Sequence, residues 1–125
     1  MAADPRGTLG ESGEILACRE LVRHGYAILE RRYRTRGGEI DIVAEHRRTI
    51  VFVEVKTRRT VSFGQPAEAV TWIKRRRLRA MARDYLSHRR LGDRACRFDV
   101  VTVLWPVGQR PTIEIIENAF EADAW

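Results

Sequence analysis

Glu39, Asp41, Glu54 and Lys56 are the residues of this chain whose types and spacing suggest chemistry. Both of their segments carry a two-residue period, the mark of β-strands. Ile40, Ile42 and Ala44 alternate with Glu39, Asp41 and Val43, while Val51, Val53 and Val55 alternate with Ile50, Phe52, Glu54 and Lys56. A four-residue connection, Glu45-His46-Arg47-Arg48, pairs Ala44 with Thr49, and so Asp41 with Phe52 and Glu39 with Glu54. Asp41 then lies diagonal to Glu54, with Lys56 further along the same face. A one-residue slip would break the arrangement, so the expectation depends on the turn. Carboxylates gathered on a central hairpin repel one another and are costly to bury. A hard cation, Mg²⁺ or Mn²⁺, relieves both costs through oxygen ligands, and the scattered histidines and thiols offer no softer site. Lys56 is the one base of the group, suited to positioning water or neutralising charge on a phosphate. The alternative is an exposed hairpin end, with Glu39 and Glu54 solvated and Lys56 paired to one of them.

The elements that must position these residues follow from local signals. Thr8 and Glu11 form a capping box for a helix running to about His24 and ended by Gly25. Its apolar stripe uses Leu9, Leu16, Ala17, Leu21 and Val22, and Glu14 lies at the stripe's edge, where packing on the sheet could bring it towards Asp41. Glu14 is equally explained as a first-turn acid favoured by the helix dipole. Tyr26 to Leu29 is expected as a short strand, followed by a basic stretch from Arg31 to Arg36. Strands are expected from Glu39 to Ala44, Thr49 to Lys56, Arg97 to Trp105 and Thr112 to Glu117. Pro66 sits where a helix could begin, and Ala67 to about Arg90 is helical, with Val70, Ile73, Leu78, Met81, Tyr85 and Leu86 inward. Trp72 on that helix could stack on a base, but packing is the expectation. The fold class is α/β, a single mixed sheet with flanking helices. Residues 1–8 form a lead, 9–117 the domain and 118–125 an acidic tail.

Length and composition bound the rest. A chain of 125 residues with 44% apolar residues holds one modest core. No apolar run is long enough to span a membrane, and no secretory signal precedes residue 8, so the expected location is cytoplasmic. Cys18 and Cys96 lack the spacing of a zinc or redox motif, and His24, His46 and His88 are expected at the surface or at helix ends. Net charge is +6, concentrated in Lys74, Arg75, Arg76, Arg77, Arg79, Arg83, Arg89 and Arg90, against Asp84 alone in that stretch. Such a face suits a polyanion, although a solvated arginine-rich helix would look the same.

Taken together, Gly10-Glu11-Ser12-Gly13-Glu14, Gly38-Glu39-Ile40-Asp41-Ile42-Val43-Ala44, Val51-Phe52-Val53-Glu54-Val55-Lys56-Thr57-Arg58, Phe63-Gly64 with Pro66 and Lys74, and Arg97-Phe98-Asp99 resemble the bacterial YraN family, also called UPF0102. That family looks like a compact member of the PD-(D/E)xK nuclease superfamily, similar in layout to archaeal Holliday-junction resolvases. The superfamily commonly has a proline just before its aspartate, where this chain has Glu39-Ile40. The resemblance implies a restriction-endonuclease-like core and a metal-dependent endonuclease acting on DNA, with branched DNA as one candidate substrate. It further implies catalytic roles for Glu14, Asp41, Glu54 and Lys56, with Mg²⁺ or Mn²⁺ held by Asp41, Glu54, the Val55 carbonyl and Glu14. DNA backbone contacts would come from Arg58, Arg59, Lys74, Arg75, Arg76, Arg79 and Arg83, and a homodimer would supply two active centres to a branch. The alternative is a nucleic-acid-binding or assembly protein that keeps the fold without efficient cleavage.

Overall fold

The computed structural model describes residues 8–60 and 70–120. Helix α1 (Leu9–Arg23) begins at the expected capping box: Thr8 accepts the Glu11 N–H, and the Glu11 side chain reaches back to the Thr8 N–H. His24 closes it, and Gly25 then adopts φ +89°, the left-handed conformation that favours glycine. The chain continues through β1 (Ala27–Thr35), β2 (Gly38–His46), β3 (Thr49–Arg58), α2 (Trp72–His88), β4 (Cys96–Leu104) and β5 (Thr112–Phe120). The five strands form one sheet in chain order. Only β3 and β4 are parallel, because α2 carries the chain across between them.

One helix packs on each face. Ala17 and Leu21 of α1 meet Ile42, Ala44, Val51, Val53, Val101 and Val103. Leu78, Met81, Ala82, Tyr85 and Leu86 of α2 meet Phe52, Phe98 and Val100. The sequence order of elements is therefore as expected, and among the described residues no helix is long and apolar enough to cross a membrane.

Several expectations are corrected. The basic stretch after Leu29 is part of β1, which continues to Thr35. A bulge between Ile28 and Glu30, and Arg32 at φ +53°, interrupt the alternation that would have revealed it. Helix α2 starts at Trp72 with Thr71 as its N-cap, and the expected start at Pro66 lies outside the described residues. Ile73 and Val22 are exposed, and so is Trp72. His46 is buried, stacked on Tyr26 with ring centroids 3.9 Å apart.

The β2–β3 connection is a two-residue turn, Arg47-Arg48, which pairs His46 with Thr49 and Val43 with Phe52. Both arginines have positive φ, 51° and 63°, as the tight hairpin turn demands and as bulky residues resist. The register is thus two residues away from the expected one. It puts Val43, not Asp41, opposite Phe52, and the paired ladder ends at Ile42–Val53, one residue short of Asp41. Replacing the pair with Asn-Gly (Arg47→Asn with Arg48→Gly) is expected to stabilise the fold by about 1 kcal/mol. Equilibrium urea unfolding of the two proteins checks this.

Candidate functional site

The regular β2–β3 ladder runs from His46–Thr49 to Ile42–Val53, and beyond it the strands part. Ile40 packs with the α2-side core while Ile42 packs with the α1-side core, so the alternation of β2 breaks at Asp41. Where the strands open, the Val55 N–H donates to Asp41 Oδ2 at 2.8 Å. A side-chain carboxylate therefore satisfies the backbone donor left by the ladder.

Glu54 points to the α2 side, only 3% exposed. Lys74, from the first turn of α2, forms a short ion pair with Glu54 Oε1, and Lys56 Nζ lies 3.8 Å from the same oxygen. Glu54 Oε2 is buried without a hydrogen-bond partner. Asp41, Glu54, Lys56 and Lys74 are thus one cluster at the opening of the sheet.

Its electrostatics follow from burial and like charge. Desolvation, then the neighbouring Glu54 carboxylate, push the Asp41 carboxyl up to about 7, against the partial relief given by the Val55 N–H. Burial, then the Lys74 ammonium, pull Lys56 below the ordinary lysine value. Burial would also lower Lys74, but its bond to Glu54 outweighs that and raises it. The cluster holds an acid that titrates near neutrality beside an ammonium that loses its proton more readily than usual.

Glu14 sits on α1, on the far side of the opening, and accepts from Arg32 Nε at 3.2 Å. Its charge still reaches Asp41, whose protonated form it favours. Glu39 pairs with Arg34 across β1 at 3.1 Å and does not join the cluster. Arg58 follows the site on β3, where its carbonyl accepts the Trp105 N–H, and exposed Arg59 donates to the Trp105 carbonyl at 3.1 Å. Arg75 and Arg79 lie over the Phe120 ring, and Arg76 lies over Trp72. Arg83 is on the same helix, on its exposed side.

The expectation of bound Mg²⁺ or Mn²⁺, held by Glu14, Asp41, Glu54 and the Val55 carbonyl, is overturned. Among the described residues no group of three or more His, Cys, Asp or Glu side chains is disposed to hold a metal ion. The carboxylates are engaged elsewhere: Glu54 by two ammonium groups, Glu14 by Arg32, and Asp41 by the Val55 N–H. The positive charge that a buried carboxylate requires comes here from lysine.

A second polar cluster escaped sequence reasoning. Asp99, 1% exposed in the middle of β4, accepts from Tyr26, from Arg97 and from the Asn118 N–H. Arg97 also meets His46. One acid inside the otherwise apolar run Phe98 to Val101 was the available signal. Asp99 lies where the β4–β5 register shifts, so it caps a broken ladder as Asp41 does.

Comparison with known proteins identifies the family. The model described as "Uncharacterised protein family UPF0102" matches residues 13–103, which include Glu14, Asp41, Glu54, Lys56 and Lys74. A UPF0102 protein of Geobacter metallireducens is 52% identical over 114 residues, covering 91% of this chain and 93% of that one. One from Trichlorobacter lovleyi is 49% identical, covering 90% of each chain. A relative from Clavibacter michiganensis is 44% identical over 111 residues, covering 89% and 94%. This chain therefore belongs to the UPF0102 family.

Proposed function

We propose that this protein is a nuclease-like phosphodiester hydrolase acting on DNA, with a core of the restriction-endonuclease kind. The observation that carries the proposal is the cluster of Asp41, Glu54, Lys56 and Lys74 where β2 and β3 part, because capping the Val55 N–H accounts for Asp41 alone and leaves a second, buried acid, Glu54, beside it. Asp41 serves as the general base. Above pH 7 it takes a proton from water as the water oxygen bonds to phosphorus and the ester P–O bond breaks. Lys56 faces the same opening, neutralises charge developing on the phosphoryl oxygens and protonates the departing oxygen, a role that its lowered proton affinity favours. Glu54 and Lys74 hold Lys56 in place. Glu14 keeps Asp41 basic by adding negative charge nearby. Arg58, Arg59 and the α2 arginines hold the DNA backbone without reading sequence. A homodimer would present two such openings to a branched substrate.

The test is a panel of end-labelled linear, nicked, flapped and four-way DNAs, with and without chelator, comparing the native chain with Lys56→Met. Cleavage of at least one substrate, lowered by roughly 100-fold or more in the variant, supports the proposal. Binding without cleavage of any substrate in either buffer contradicts it, and leaves a nucleic-acid-binding protein of nuclease-like fold. That second reading draws on the basic α2 face alone.

A further inference from the structure

Trp72 is a large aromatic residue of α2 that the core does not use. It opens the helix, 65% exposed, and the Arg76 guanidinium lies 4.9 Å from its ring centroid. Two shallow clefts meet at this indole. Trp72, Arg76 and Ala80 line both, Arg79 and Arg83 close one side, and Arg77 closes the other. Ala80 leaves their shared floor low. From Trp72 to Arg83 the helix carries no acid, so its own charges around the flat aromatic ring, and around exposed Ile73 beside it in the second cleft, are all positive. Lys74, two residues along, reaches Glu54 in the acid–lysine cluster, so the clefts begin within one helical turn of that cluster.

We propose that this face is a subsite for an unpaired nucleotide, whose base stacks on Trp72 while the adjoining phosphates lie along Arg76, Arg77, Arg79 and Arg83. Charge complementarity selects the occupant. A protein partner would gain from the indole but would have to match several guanidinium groups, whereas single-stranded nucleic acid offers a π-face and a phosphate at every step. Duplex DNA offers the phosphates but keeps its bases stacked, so it cannot use Trp72. The inference rests on the proposed action on DNA and narrows it: substrates with unpaired nucleotides beside the scissile bond are preferred.

Binding of a fluorescent oligothymidylate of about 20 nucleotides and of a duplex of equal length is measured at several salt concentrations, for the native chain, Trp72→Ala, and Arg76→Gln with Arg83→Gln. Trp72→Ala is expected to weaken single-strand binding by about tenfold, change duplex binding by less than about twofold, and leave the salt slope intact. The arginine variant is expected to lower the salt slope for both ligands. Equal loss on single strand and duplex, or no loss on either, overturns the stacking subsite while leaving phosphodiester hydrolysis standing if the cleavage panel is positive. Undiminished oligonucleotide binding together with loss of self-association in Trp72→Ala, seen by sedimentation, overturns it in favour of a protein interface.

Discussion

Gly13→Ala is expected to destabilise the protein by about 3 kcal/mol, the upper part of the usual range for overpacking. A Cβ at Gly13 would stand 1.9 Å from Thr57 Oγ1, 2.9 Å from Thr57 Cβ and 3.0 Å from its Cγ2. Rotating the threonine clears the hydroxyl but not Cβ, which is fixed by the backbone of β3. Either α1 lifts from the sheet or β3 bends, and both strain the packing of Ala17 and Leu21 on Val51 and Val53. The lift would also carry Glu14 away from Asp41. Urea unfolding in a double-mutant cycle checks the cause. Thr57→Gly should make Gly13→Ala nearly neutral, Thr57→Ala should relieve it only in part, and equal costs in all three backgrounds would place the cause elsewhere.

Asp41→Asn is expected to separate stability from activity. Burial and Glu54 raise the native carboxyl from 3.8 to about 7, so the folded protein binds that proton more tightly than the unfolded chain does. Stability from this group is therefore greatest at low pH, and it falls as pH rises from near 4 through 7. Asparagine accepts the Val55 N–H without ever taking a charge. The variant should gain on the native protein across that window and level off above pH 7. The plateau gain is about 2 kcal/mol, on about 1.4 kcal/mol per pKa unit with a discount for the coupling to Glu54. Unfolding at pH 5 and pH 8 reads the difference. A gap that is the same at both pH values, or larger at pH 5, would show that Asp41 is not held protonated in the fold.

Much of the architecture was legible because it is encoded locally. The Thr8–Glu11 capping box and Gly25 delimit α1 within a few residues of chain, and the period-two runs around Ile42 and Val53 mark their strands. What failed to be legible depends on rare backbone conformations or on tertiary neighbours. Arg47 and Arg48 make a turn that normally announces itself with asparagine and glycine, so the hairpin read as a longer loop and the register came out two residues away. Arg32 in the left-handed region hid the length of β1 in the same way.

At the site, periodicity brought Asp41, Glu54 and Lys56 to one hairpin and implied that their charge needs a cation. It carried no information on which cation, because Lys74 reaches Glu54 only once α2 has packed on the sheet. A metal ion and a lysine both satisfy that requirement, and the strand pattern does not distinguish them. The burial of His46 is illegible for a related reason: its partners, Tyr26 and Arg97, come from distant parts of the chain.

The most direct test of the assignment of Asp41 as general base is the rate of DNA hydrolysis across pH 5 to 9, for the native chain and Asp41→Asn, on the best substrate of the panel. The native rate should rise through a limb centred near pH 7, where Asp41 loses its proton, and in Asp41→Asn that limb should vanish with a rate loss of about 100-fold or more. A folded Asp41→Asn protein that cleaves at the native rate, with the same pH profile, would contradict the account.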